Sequence, residues 1–544
     1  MSRKHYFLSL VSIAILASAC GPTDENNDAS NNTASNNMTS NSGDNHDNHD
    51  NHTTENSDKN NVSDNSDKNN VADNSMTFEP IETPTTYTFP SRFVDGESSV
   101  SYSGQTARHI LINDLNIYIN TQLEDDALAN TAFTSKEDFE AALLFWFEFD
   151  SDSNGDSTII TGTTPDPAQA TYNDISTGKN IVGKLAGNDD TTDHKDWDAD
   201  GNFQGWSDDT IAANGGSIDS PEGLVRAYFA TIAQQAFDLS EGNAIENPYA
   251  DGNLPVYVTA SGLDLKQLAQ KTILMAVTFS QAADDYMGDD VDGKGLLATN
   301  TQAEGKNYSG LEHAWDEGFG YFGAAANYGD YTDEEIAQKG GRDDWQGHHD
   351  ADGDGKVSFK TEYNFGAAVN AAKRDLGSSD GAKTDYTKQA FDAFLEGRTL
   401  ITNAGDEVSA EELGEIKEQR DLAIEAWEKA IAATVVHYIN DVLKDMGAAD
   451  NPDAEYSFLD HAKHWGELKG FAIGLQFNPA SPMLVGDRFV DFHGLIGDAP
   501  VLPDEGAEAT AAYRAKLVEA RGILKEAYGF DDANMGDENG EGGW

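Results

Sequence analysis

The chain is short of positive charge and nearly free of cysteine. Lys and Arg number 35 against 96 Asp and Glu, a net charge of −61 over 544 residues. So acidic a surface repels nucleic acid and anionic lipid and attracts cations, so divalent cations are expected partners and nucleic acid is not. The single cysteine, Cys20, allows no disulfide within the mature chain. There is no H-E-x-x-H, which would put two zinc ligands and a general base on one helix turn. A phosphate loop of the form G-x-x-x-x-G-K-[ST] is also missing. Carboxylates are so frequent that no pair stands out for acid–base work, and enzymatic activity, peptidase activity included, is not expected.

Long apolar runs are missing too. The best is in "MSRKHYFLSLVSIAILASAC", where a basic start, a short apolar stretch and a small-residue exit read as a secretion signal over residues 1–19. The stretch is too short for a comfortable membrane span. Ala17, Ser18 and Ala19 before Cys20 resemble a bacterial lipobox, with Leu16 one place early. Such a motif implies lipidation of Cys20 and a membrane anchor, and Gly21 in place of aspartate favours the outer membrane, on its periplasmic or cell-surface face. An ordinary signal peptide with an incidental cysteine is the alternative. Residues 20–76, rich in Asn, Asp and Ser, cannot bury enough surface to offset ordering entropy and read as a disordered tether.

The body, residues 77–534, opens with a short extended segment and then shows helical periodicity. Ser135 and Asp138 form a capping pattern before "FEAALLFWF". Further helices are expected over Pro221–Leu239, Leu263–Met287, Gly310–Ala325, Thr361–Leu376, Asp385–Leu400, Ala410–Met446, Tyr456–Leu475 and Ala507–Tyr528. The segment from Ala410 reads as one bent helix or two. The expected fold class is mainly α, a helical-bundle body, with residues 535–544 as a flexible acidic tail.

Three loops match D-x-[DN]-x-[DN]-G, the first half of an EF-hand-type calcium loop: Asp150, Asp152 and Asn154; Asp196, Asp198 and Asp200; Asp350, Asp352 and Asp354. Alternating acids occupy ligand positions one, three and five, and the glycine allows the turn that folds them round one ion. Lys356 holds position seven of the last loop, where the main chain ligates. The bidentate glutamate of position twelve is replaced by Thr161, Ser207 and Thr361, with Asp208 and Glu362 one residue later as candidate substitutes. Strings of this kind also arise by chance in so acidic a chain. Calcium is the expected ion, as a structural brace.

In "LEHAWDEGFGYFG" a helix places His313, Asp316, Glu317 and Gly320 on one face and Trp315, Phe319 and Phe322 on the opposite, core-facing one. "KHWGELKGFAIG" repeats W-x-E-x-x-G-[YF], aligning Glu317 with Glu467 and Gly320 with Gly470. The repeat, around 310–325 and 460–476, suggests a duplication about a pseudo-twofold axis. His313 and His464 each lie within reach of their glutamate. Such pairs ligate a metal when another helix completes the shell, or lock a helix interface.

The segments "GESSVSYSGQTARHILINDL", "EHAWDEGFGYFGAA", "DADGDGKVSFKTEYNFG" and "HWGELKGFAIGLQFNP" together resemble a family of bacterial surface lipoproteins known only as a domain of unknown function. Through the repeat and a His-x-x-Glu element the body distantly resembles the imelysins, envelope proteins linked to iron uptake. Their G-x-H-x-x-E is matched here by "AKHWGE", with Ala462 in the glycine position. The resemblance implies an imelysin-like duplicated bundle and an iron or haem site lined by His313, Glu317, His464 and Glu467, with Arg108 and His109 as additions. An outer-membrane receptor is a further partner it brings. The second reading is a non-enzymatic calcium-braced scaffold or adhesion protein.

Overall fold

A computed structural model describes residues 79–129, 133–188, 197, 201–451 and 455–544. The signal, Cys20 and the tether lie outside the described residues. Among these residues the regular structure is helical, and extended pairing is limited to isolated bridges. The helices longer than one turn are α1 (Ser103–Thr121), α2 (Leu123–Ala129), α3 (Lys136–Phe147), α4 (Pro221–Ser240), α5 (Leu265–Leu274) and α6 (Gly310–Phe322). They continue with α7 (Gly366–Gly377), α8 (Tyr386–Asn403), α9 (Ala410–Asp450), α10 (Phe458–Ile473), α11 (Arg488–Ile496) and α12 (Ala507–Tyr528). No described helix is long and apolar enough to cross a membrane.

Local chemistry sets the helix ends. Ser135 and Asp138 do form a capping box, as do Ser309 with Glu312 and Ser409 with Glu412. Gly323 ends α6 in the left-handed region at φ +79°. The expected segment Leu263–Met287 is α5 continued by two wider π-type windings, Met275–Phe279 and Gln281–Tyr286. The segment from Ala410 is one helix of 41 residues, about 60 Å long at 1.5 Å per residue. The helix expected from Thr361 starts only at Gly366, because Glu362 turns back to close a loop.

Helix α9 is the spine. Helices α7, α8, α10 and α12 pack along it, α6 packs on α8 and α1, and α5 packs on α10, α4 and α1. Trp315, Trp427 and Trp465 are fully buried between these layers. Among the contacts that allow no side chain at a glycine, one lies in each W-x-E-x-x-G-[YF] segment. A Cβ on Gly320 of α6 would lie 2.6 Å from Tyr102 Cβ and 3.1 Å from Gln105 Cβ beside α1, and one on Gly470 of α10 would lie 2.6 Å from Lys271 Cβ of α5. Gly323, the stop of α6, is close to α1 as well: a Cβ there would lie 3.0 Å from His109 Nε2.

The N-terminal segment is held by a buried ion cluster. Arg398 of α8 is fully buried, its Nε donating to Asp316 Oδ1 at 2.9 Å, its Nη1 to Glu312 Oε1 at 3.2 Å and its Nη2 to Ser99 Oγ at 2.7 Å. Tyr87 donates to Asp316 Oδ1 at 2.9 Å and stacks on Phe319 with ring centres 3.6 Å apart. The Ser101 amide donates to the second oxygen of Asp316 at 3.0 Å. Asp316 therefore does not face solvent, as the helical wheel alone suggested.

Residues 535–544 are packed, which corrects the reading of a flexible tail. Trp544 is 4% exposed, donates from Nε1 to Arg374 O at 3.0 Å and accepts at its carbonyl from Asn440 Nδ2 at 2.9 Å. A Cβ on Gly540, at φ +81°, would lie 2.1 Å from Asn440 O, so the glycines counted as tail composition are what let the segment lie on α9. A terminal indole offers more burial than the flanking acids oppose.

Removing one partner of a buried ion pair strands the others. Arg398→Met is expected to lower unfolding free energy by about 3–5 kcal/mol in urea titrations, and adding Asp316→Asn to restore part of it. A loss no larger than that of a surface substitution would show that the cluster does not hold the N-terminal segment.

Candidate functional site

The acidic loop from Asp350 closes around its own carboxylates. Asp350 Oδ1 accepts from Gly353 N at 2.8 Å and Asp354 N at 3.1 Å, and Oδ2 accepts from Gly355 N at 2.9 Å. Gly353 and Gly355 sit at φ +77° and +87°, a conformation that needs glycine at both places. Val357 is fully buried and fastens the loop to the preceding chain through Val357 N to Asp166 O and Ala168 N to Val357 O. Glu362, 5% exposed, reaches back and accepts from Ala351 N and Ser358 N at 2.8 and 2.7 Å. One ligand atom each from Asp350, Asp352 and Glu362 then lies within 4.8 Å of the others. An ion with oxygens at 2.3–2.6 Å requires about that spacing, so the three fit calcium. Glu362, one place beyond the standard position, does join the set. Asp354 is outside this trio and its Oδ1 accepts from Lys356 N at 2.8 Å, while the Lys356 side chain is exposed.

The other two loops differ. Asp150 caps a one-turn helix, Ser151–Asn154, by accepting from Asp152 N. Gly155 there is right-handed at φ −60°, and its missing side chain makes room for Asn173. Asp150, Asp152 and Asn154 thus form a helical turn, and the sequence string reflects capping chemistry. Asp196, Asp198 and Asp200 lie outside the described residues. Asp208, proposed as their substitute ligand, caps a short 3-10 turn through Thr210 N.

Of the histidines and partners, His313 Nδ1 donates to Ser101 O at 3.1 Å, and its Nε2 lies 3.7 Å from Glu317 Oε1. Glu317 also accepts from Gln105 Nε2 at 2.8 Å. His109 is buried against Phe365, with Nε2 3.2 Å from both Gly320 O and Tyr321 O. Burial pulls its pKa down to about 4 against those two hydrogen bonds. Arg108 donates to Asn180 O at 2.8 Å. His464 turns from Glu467 toward Asp445 Oδ2, 2.8 Å from Nδ1. Burial opposes its charge, but the bond to Asp445 prevails and its pKa is raised. Glu467 faces Lys271 Nζ at 3.5 Å and Tyr438. Each His-Glu element is therefore engaged within its own helix layer.

Around Glu467 lies a polar cluster that sequence reasoning missed. Lys271 of α5, Arg374 of α7, and His437, Tyr438 and Asp441 of α9 meet Glu467 and His464 of α10. His437 Nε2 lies 3.3 Å from Asp441 Oδ2. Arg374 is 7% exposed and its Nε has no hydrogen-bond partner among the described residues. Burial pulls its pKa down to about 10, so it stays charged at neutral pH. A usable signal was in the sequence: Arg374 follows Ala371 and Ala372 on the apolar side of α7, where a charge requires a counterpart.

Elsewhere, a cleft of about 840 Å³ lies between the N-terminal segment and α8 and α9, with Thr83, Phe391, Leu395, Glu396, Leu422 and Glu425 among its lining residues. It contains none of the residues singled out from the sequence.

Histidines with lowered pKa set an acid limit, His437 and His493 as well as His109 and His461. His109 and His461 both titrate near 4 when folded, below the ordinary 6.5, mainly through burial. The unfolded chain takes up their protons first, so this stability is complete above about pH 6.5 and is lost as pH falls toward 4. His464, with its raised pKa, works in the opposite sense, stabilising below its unfolded value and losing effect as pH rises. The fall in melting temperature from pH 6.5 to 4 is expected to be shallower in His109→Gln than in the parent, and equal slopes would remove this ring from the account.

No curated protein and no solved structure matches the chain. Residues 222–485, from the first turn of α4 to just past α10, are similar to a family model described as "Domain of unknown function (DUF4856)".

Proposed function

We propose that the protein is a calcium-braced, lipid-anchored lipoprotein of the bacterial outer membrane whose helical body binds a small ligand. The observation that carries the brace is the Asp350–Asp352–Glu362 trio, three carboxylates gathered by a loop with two left-handed glycines and a buried valine anchor. Calcium there would tie residues 166–168 to the start of α7, a role in stability rather than signalling. The anchor rests on the lipobox-like residues before Cys20.

The reading includes an internal duplication. In both helix pairs a glycine of W-x-E-x-x-G-[YF] meets a segment spaced Q-x-A-x-[HK], Gln105 to His109 under Gly320 and Gln267 to Lys271 beside Gly470. Two copies of one helix pair would produce that correspondence. Iron or haem, which the imelysin likeness implies, would require His464 to leave Asp445 and Glu467 to leave Lys271, so the ligand proposed is not iron. A scaffold role is the second reading, favoured by the same brace.

The purified protein titrated with calcium by calorimetry is expected to bind at the Asp350 loop and to gain melting temperature. Asp350→Asn and Glu362→Gln should each remove one bound calcium and most of that gain. Identical calcium content in parent and variants would sink the brace. Cys20→Ser should move the protein from the membrane to the soluble fraction.

A further inference from the structure

The junction of α5, α7, α9 and α10 has a charge unlike the rest of the chain. Lys266, Lys271, Lys373, Arg374, Lys444 and Lys463 lie within electrostatic reach of one another or of His437. The acids among them are Asp264, Glu467, Asp375, Asp441 and Asp445, five against those six cations. In a chain with 96 acids and 35 bases, a place where cations outnumber acids is a local inversion.

The arrangement is graded in depth. Arg374 forms the floor at 7% exposure, with Glu467 beside it. Lys271, Asp441, His464 and His437 stand around it with side chains 14%, 18%, 20% and 29% exposed. The neighbouring acids are committed except for one oxygen of Glu467. Glu467 faces Lys271, Asp441 faces His437 and Lys444, and Asp375 accepts from the amides of Tyr386 and Thr387. Two buried atoms of opposite character remain without partners among the described residues, the donor Nε of Arg374 and the acceptor Oε2 of Glu467. A buried guanidinium with no bonded counter-ion is costly, and an oxyanion is the group its planar fork fits. A metal ion would meet several fixed positive charges there, and both histidines are already turned to aspartates.

We infer that this junction binds a small ligand through an oxyanion, a carboxylate or a tetrahedral group, seated on Arg374 and Lys271, with a donor of the ligand placed on Glu467. Tyr438 and Phe471, rings nearly parallel at 13° with centres 6.2 Å apart, offer an apolar side for the rest of the molecule. The inference gives a ligand class to the binding function proposed above and rests on that reading.

The test is calorimetric titration of the purified protein with acetate and, separately, sulfate, at constant ionic strength held with chloride. Saturable binding of either is expected, and which binds tighter distinguishes a carboxylate from a tetrahedral ligand. Arg374→Gln should weaken it at least tenfold with helical circular dichroism unchanged. If that variant fails to fold, Lys271→Gln decides in its place, with an expected loss of several-fold. Absence of saturable binding by the parent, or equal affinity in the folded variants, overturns the inference. Asp350→Asn separates the two proposals: calcium lost with anion affinity kept leaves this site standing on its own, whatever becomes of the brace.

Discussion

Arg398 is the constraint around which the first helix layer is built. Its guanidinium is fully buried and spans Asp316 and Glu312 of α6 and Ser99 of the N-terminal segment. Glu312 has a second duty, since its other oxygen accepts from Ser309 N and completes the capping box that starts α6. Start of helix, packing of α6 on α8 and docking of residues 87–101 thus share one set of carboxylates. A buried pair adds little net stability over apolar packing, but it permits few alternatives, because any other register would leave a charge unpaired. Its contribution is to specificity of arrangement.

The second layer solves the same problem differently. Where α6 has Asp316, the aligned position of α10 is Gly466, and no arginine is buried against it. Lys469 is fully buried instead, reaching Gly497 O and Asp498 Oδ1 at 2.6 and 2.9 Å under the ring of Trp206. Asp498 in turn accepts from the amides of Ser207 and Asp208. Two layers that meet their neighbours through matching glycines thereby carry different charged ties.

Much of the helical content was legible because periodicity, caps and helix-ending glycines act locally. The expected limits of α8, α9 and α12 lie within a few residues of the observed ones for that reason. What escaped depended on distant partners. Asp316 lies on the charged side of a wheel, and only the approach of Arg398 and Tyr87 makes that side interior. The acidic strings at Asp150 and Asp350 look alike in one dimension. One glycine has Asn173 against it and a right-handed backbone, the other a left-handed turn, and the sequence contains no rule that separates them. For Arg374 the sequence marks a charge on an apolar helix face, but that its Nε lacks a partner is a property of three dimensions.

The hydrogen bonds of the N-terminal segment have unusual reach. Ile81 N donates to Asn403 Oδ1 across 322 residues of chain, and Ser99 accepts from Arg398 across 299. Contacts so far apart form slowly, because loop closure precedes any reward. A ribosome adding about 5–20 residues per second needs tens of seconds before the partners of Ile81 and Ser99 even exist. The tie across more than half the sequence imposes that delay, so the timing of docking is written into the spacing of Ser99 and Arg398.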